Sequence, residues 1–120
     1  MKKTIRGSNI TLTDAISDYT EKRLDAIRKY IKEAQLESVH LDIDLGKTTH
    51  HHRSGDIFRA EVNVKIGQNH YRAEATTSDL YAAIDEVRDE IVAELRARKS
   101  KTYSLVRKGR RAIKELLRRA

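Results

Sequence analysis

Residues 58 to 75, Phe58-Arg59-Ala60-Glu61-Val62-Asn63-Val64-Lys65-Ile66-Gly67-Gln68-Asn69-His70-Tyr71-Arg72-Ala73-Glu74-Ala75, decide the fold. Phe58, Ala60, Val62, Val64 and Ile66 recur every second residue, the signature of a strand with one wet face. Gly67-Gln68-Asn69 supplies a hairpin turn, and Tyr71, Ala73 and Ala75 resume the alternation. A hairpin with one apolar face must bury it against something, and the flanking segments have to supply that cover.

Upstream, Val39, Leu41, Ile43 and Leu45 alternate with His40, Asp42 and Asp44 and predict another strand. Lys3 to Ser8 reads as a short first strand. Between them Thr13 is a good N-cap with Asp14 in the first turn, and Ile16, Tyr19, Leu24, Ile27, Ile31 and Ala34 recur at helical spacing, predicting an amphipathic helix over 13–35. Downstream, Ser78 stands where a cap is needed and Asp79 favours a helix N-terminus. Leu80, Ile84, Val87, Ile91 and Leu95 then mark a helix to about Lys99. The order is β-α-β-β-β-α, an α+β fold: three sequential strands form an antiparallel meander, the first strand is parallel to the second if the two lie side by side, and two helices cover one face of a four-stranded sheet. Residues 1–101 are expected to form one domain and 102–120 a basic extension, with Ser100 to Ser104 as a hinge. The extension reads as a solvated tail ordered on a partner, or as a third helix over 104–119 in which Leu105, Ala112, Ile113, Leu116 and Leu117 share a side and Gly109 costs about 1 kcal/mol relative to alanine.

The net charge of +7 is unevenly placed. From Lys99 to Ala120 there are nine basic residues against Glu115, giving +8 and leaving −1 for residues 1–98. Such a segment seeks phosphates on nucleic acid or an anionic membrane. There is no cysteine, which removes disulfides and thiolate metal sites. No apolar run approaches the roughly 18 residues of a membrane span, and the N-terminus lacks the apolar segment of a signal peptide, so a cytoplasmic location is expected.

Catalytic signals are weak. Asp42 and Asp44 share a strand face, but it is the wet face. No Gly-x-Ser-x-Gly, phosphate-binding glycine loop or cysteine nucleophile occurs, so no reaction, cofactor or metal is expected. His50, His51 and His52 are consecutive, whereas a closed zinc site draws ligands from separated positions. They read as a solvated loop or an RNA contact beside Lys47 and Arg53. On the first helix Lys22, Arg23, Arg28, Lys29 and Lys32 are basic. Asp18 and Asp25 stand four residues before Lys22 and Lys29, a favourable helical spacing. Arg23 has no such acid, so it is expected to be available to RNA and its replacement to leave stability nearly unchanged. The second helix is acidic early and basic late (Arg96, Arg98, Lys99), which its macrodipole alone favours. Tyr81 either stacks on a base or packs its ring on the sheet edge.

Asp79-Leu80-Tyr81-Ala82-Ala83-Ile84-Asp85, preceded by Ala73-Glu74-Ala75, resembles the signature of the ribosome hibernation promoting factors, also called ribosome-associated inhibitor A proteins, over roughly residues 1–101. The resemblance implies a four-stranded sheet with two helices on one side, similar also to a double-stranded RNA-binding domain with an added N-terminal strand. It implies a factor of the short type, without the C-terminal dimerisation domain, monomeric off the ribosome. Such a factor binds the small ribosomal subunit where messenger and transfer RNAs meet, blocks translation and keeps idle ribosomes intact under stress. Its expected rRNA contacts are Lys22, Arg23, Arg28, Lys29, Arg96, Arg98, Lys99 and Lys101, with further candidates at Tyr81, Lys47, Arg53, Arg107, Lys108, Arg110 and Arg111. Glu90 and Ala93 depart from the family, which often carries basic residues there. The alternatives are a double-stranded RNA-binding protein unconnected with ribosomes and a membrane-surface protein using the amphipathic tail.

Overall fold

The computed structural model describes residues 1–48 and 55–119, with side chains for 1–48, 55–99 and 107–118. The chain runs β1 (Lys2–Ser8), α1 (Asp14–Asp25), two 3-10 turns (Ala26–Tyr30 and Glu33–Ser38), β2 (His40–Lys47), β3 (Phe58–Ile66), β4 (Asn69–Thr77) and α2 (Leu80–Arg119). His50, His51, His52 and Arg53 lie outside the described residues, as does the side chain of Lys101.

The four strands form one sheet in the order β1-β2-β3-β4. β1 and β2 are parallel, Ile5 opposite Ile43, and the other two pairings are antiparallel. The two-residue turn between β3 and β4 places a left-handed φ of 60° on Gly67, where no Cβ opposes it. Gly46 serves a different need: a Cβ there would lie 2.9 Å from the carbonyl oxygen of Ser8, so its absence lets β1 approach β2. Leu41, Ile43, Leu45, Ala60, Val62, Val64, Ile66, Ala73 and Ala75 line the buried face. Leu24, Ile27 and Ile31 from the α1 region, and Leu80, Ala83, Ile84, Val87, Ile91 and Leu95 from α2, close the core over it.

α1 starts as expected, with Thr13 Oγ1 accepting from the Ile16 amide at 3.2 Å, but it ends ten residues early. From Asp25 the backbone tightens into a 3-10 turn, Ile31 is extended (φ −118°, ψ 136°), and Ala34 is exposed. A spacing of three satisfies a 3-10 turn as well as an α-helix, so Leu24 and Ile27 stay on the core side. The chain then leaves the helix layer to reach the start of β2, which must lie beside β1. α2 also differs from expectation. Its cap is Asp79 rather than Ser78, with Asp79 Oδ1 accepting from the Tyr81 amide at 3.1 Å. No break occurs at Ser100 to Ser104: α2 is one helix of 40 residues, about 60 Å at 1.5 Å per residue, and it sets the 71 Å long axis of the molecule. Its far half carries Ile113, Leu116 and Leu117, exposed by 59, 70 and 72%.

Two consequences can be measured by denaturant unfolding. Ile84→Ala, at a fully buried position, is expected to cost about 2–5 kcal/mol. No described buried residue lies beyond Leu95, so ending the chain after Lys99 should leave the unfolding midpoint unchanged; a large fall would show that the far half of α2 supports the fold.

Candidate nucleic-acid interface

α1 and α2 are joined by four side chains at matched spacing. Tyr19 and Arg23 stand four apart on α1, and Tyr81 and Asp85 four apart on α2, so each pair shares one helix face. Both Tyr19 Oη and Arg23 Nε donate to Asp85 Oδ1 at 2.7 Å. The Arg23 guanidinium sits 5.7 Å from the Tyr19 ring centroid, and the two tyrosine rings meet edge to face at 4.8 Å. The Arg23 guanidinium holds the Asp85 carboxyl below its ordinary range, and the same carboxylate raises the Tyr19 phenol. Arg23 is therefore partnered across the helix pair, and Tyr81 packs on α1 rather than on the sheet edge.

Beyond this clasp the helix layer opens into a cavity of about 410 Å³ between the 3-10 segment and α2. Its floor is Tyr30, Ile31, Ile66 and Leu95, and its rim carries Lys29, Lys32, Arg98, Lys99, Arg107 and Arg110. No described carboxylate lines it. Lys29 Nζ lies 5.2 Å from the Tyr30 ring centroid and the Arg98 guanidinium 5.7 Å from that of Tyr71. Cation–π contacts of this kind hold the charges in place without neutralising them.

The open face of the sheet is arranged in the opposite way. Glu61 stands directly opposite Glu74, a repulsive pairing. Arg59 and Arg72 each bridge both glutamates. Arg59 Nε donates to Glu74 at 2.6 Å, Arg72 donates to Glu61 at 3.2 Å and to Glu74 at 2.7 Å, and Arg59 also contacts Glu61. Hydrogen bonds from Arg72 and Asn63 lower the Glu61 pKa to about 2. Asp42 pairs with His40, and Asp44 accepts from Ser8. Four carboxylates thus stand among the cations of this face, in contrast to the cavity rim, although Lys2, Arg6 and Lys65 are also exposed on it.

The sequence profile described as Sigma 54 modulation protein / S30EA ribosomal protein matches residues 4–103. The chain belongs to this family. It is 36% identical over 104 residues to a ribosome hibernation promotion factor of Picosynechococcus sp., covering 86% of this chain and 51% of that one. A Staphylococcus aureus protein of the same name is 29% identical over 97 residues, covering 81% and 47%. The chain thus spans about half the length of these curated relatives. Among solved structures, the Thermus thermophilus Protein Y N-terminal domain superposes with a TM-score of 0.65 at 28% identity, covering 79% of this chain and 96% of that one. A ribosomal subunit interface protein from Coxiella burnetii shares the fold at 20% identity and a TM-score of 0.66, covering 83% and 99%.

In this S30EA chain the signature stretch is accounted for by structure. Asp79 caps α2, Leu80, Ala83 and Ile84 enter the core, and Tyr81 and Asp85 form the clasp. Of the basic residues singled out in the sequence, Lys29, Lys32, Arg98, Lys99, Arg107 and Arg110 converge on the cavity rim. Lys22, Arg96, Lys108 and Arg111 are exposed outside it. Asp25, expected to pair with Lys29, is instead held by Lys3 at 3.4 Å and Arg28 at 3.2 Å. Lys47 bridges to Asp56 at 3.0 Å. Tyr30 was not singled out in the sequence, although it lies three residues after Ile27 and four before Ala34 and so would share their side of a helix over 13–35.

Two measurements check this geometry. Because Asp85 holds Arg23, Arg23→Glu is expected to lower the melting temperature, and the swapped pair Arg23→Glu with Asp85→Arg to recover much of the loss; equal melting temperatures would show that the clasp contributes nothing. The folded Glu61 carboxyl titrates near pH 2 against an ordinary 4.5, so its stabilisation is complete above about pH 4.5 and is lost as pH falls towards 2. The melting-temperature gap between the native chain and Glu61→Gln should therefore be open at pH 6 and closed at pH 2.

Proposed function

We propose that this chain is a ribosome hibernation factor that binds rRNA of the small subunit through the cationic edge formed by α1, the 3-10 segment and α2. The observation that carries the reading is the gathering of six basic side chains around one cavity with no described carboxylate among them, in a family whose curated relatives are named for ribosome hibernation. Lysines and arginines so placed replace counterions along a phosphate backbone. A rigid sheet-and-helix body beside them fills space where messenger and transfer RNAs meet, so occupancy alone blocks translation and no reaction or cofactor is required. The same reading places the chain in the cytoplasm as a monomer off the ribosome, with residues 1–101 as the ribosome-binding unit and 102–120 as an added basic arm. Lys22, Arg23, Arg28, Arg96, Lys101, Lys108 and Arg111 are proposed as further contacts beyond the cavity, and Tyr81, Lys47 and Arg53 as additional candidates away from it. Among the described residues no helix is long and apolar enough to cross a membrane.

The test is co-sedimentation of the chain with purified small subunits across a potassium chloride series. Each phosphate contact should contribute a slope of about −0.7 to −0.9 in log K against log salt, so a steep fall is expected. A flat response would contradict the electrostatic mechanism, and absence of co-sedimentation at low salt would overturn the ribosomal reading itself.

A further inference from the structure

Lysines and arginines gathered on one rim make a local positive potential that favours an anion, and their arrangement says more than general affinity for phosphate. The residues below the rim are not polar. Ile66 and Leu95 are nearly fully buried and form the cavity floor with Tyr30, while Lys29, Lys32, Lys99 and Arg110 stand exposed above them. A site for bare phosphate needs donors throughout. An apolar, aromatic floor under a cationic rim suits a ligand with a flat apolar part and an anionic part. The volume of about 410 Å³ falls among pockets that enclose small ligands, roughly 300–1,000 Å³, which a groove tracking only the outside of a duplex would not require.

We propose that this cavity is a nucleotide-binding subsite, in which the base of an unpaired nucleotide lies on the floor and its phosphate is held by the rim. Paired bases are stacked inside a duplex and cannot reach the floor, so the site selects single-stranded RNA or a free nucleotide over double-stranded RNA. The inference rests on the RNA-binding reading above and makes it specific. The far half of α2 acquires a role, since Arg107 and Arg110 close the rim from that side.

The test uses the full chain and a fluorescein-labelled single-stranded RNA decamer at fixed ionic strength, with three competitors: an RNA duplex of equal phosphate count, a nucleoside triphosphate, and inorganic tripolyphosphate. The decamer should bind roughly tenfold tighter than the duplex, and the nucleoside triphosphate should compete roughly tenfold better than tripolyphosphate. Equal competition within either pair would overturn the proposal. If the triphosphate binds as tightly as the decamer, the physiological ligand is a free nucleotide; if the decamer binds tighter, it is an RNA strand; either supports the subsite. The double variant Lys32→Glu with Lys99→Glu should weaken decamer binding at least tenfold. Arg6→Glu, on the sheet's edge strand and outside the cavity, should change it less than twofold, and equal losses would reduce the effect to net charge. Tyr30→Leu keeps the apolar packing and removes the ring, so it should abolish the advantage of nucleoside triphosphate over tripolyphosphate. A native chain that binds the decamer but does not sediment with ribosomal subunits would refute the ribosomal reading alone and leave the subsite standing.

Discussion

A four-stranded sheet with one apolar face has to be covered from that side only, and the rest of the molecule follows from this constraint. Leu41, Ile43, Val62 and Val64 leave nearly no surface exposed because Ile84, Val87 and Ile91 of α2 and Leu24 and Ile27 of the α1 region sit on them. At about 25 cal/mol per Å² of apolar area, this burial is the main force that fixes where the helices lie. The helices then present their polar sides together in one layer, which is acidic along the early turns of α2 and cationic at one end, around the cavity and along the far half of α2. The open face of the sheet is left to balance its own charges through Arg59, Glu61, Arg72 and Glu74.

Burial sets the layer, and the clasp between Tyr19, Arg23, Tyr81 and Asp85 sets the relative placement of the two helices within it. Asp85 receives two charge-assisted or phenolic hydrogen bonds on a single oxygen, a directional contact that apolar packing alone does not provide. The stretch that most resembles the family signature is thus explained by capping, packing and the clasp. Most of the residues proposed to meet nucleic acid lie outside that stretch, around the cavity at Lys29, Tyr30, Lys32 and the late turns of α2.

The strands and their pairing were legible in the sequence, because the alternation from Phe58 to Ala75 is uninterrupted and the Gly67 turn leaves one register. The end of α1 was not. Leu24 and Ile27 keep their spacing whether the backbone is α or 3-10, and only the need to reach β2 decides between them. Ser100, Ser104 and Gly109 read as punctuation, but a helix whose hydrogen bonds are all local tolerates them at about 1 kcal/mol or less each. Arg23 looked unpartnered because its acid lies 62 residues away, out of reach of a spacing rule. The cavity was legible only in part: its basic residues were evident, but bringing positions 29–35 against 95–110 is a tertiary event.

The central claim is that RNA meets the cationic edge of the helix layer and not the open face of the sheet. The chain contains no cysteine, so a single Lys32→Cys or Arg6→Cys variant can carry an iron–EDTA group that cuts nearby RNA by hydroxyl radicals. On purified small subunits, the account predicts localised rRNA cleavage from position 32 and little from position 6. Cleavage confined to position 6, or equal from both, would contradict it.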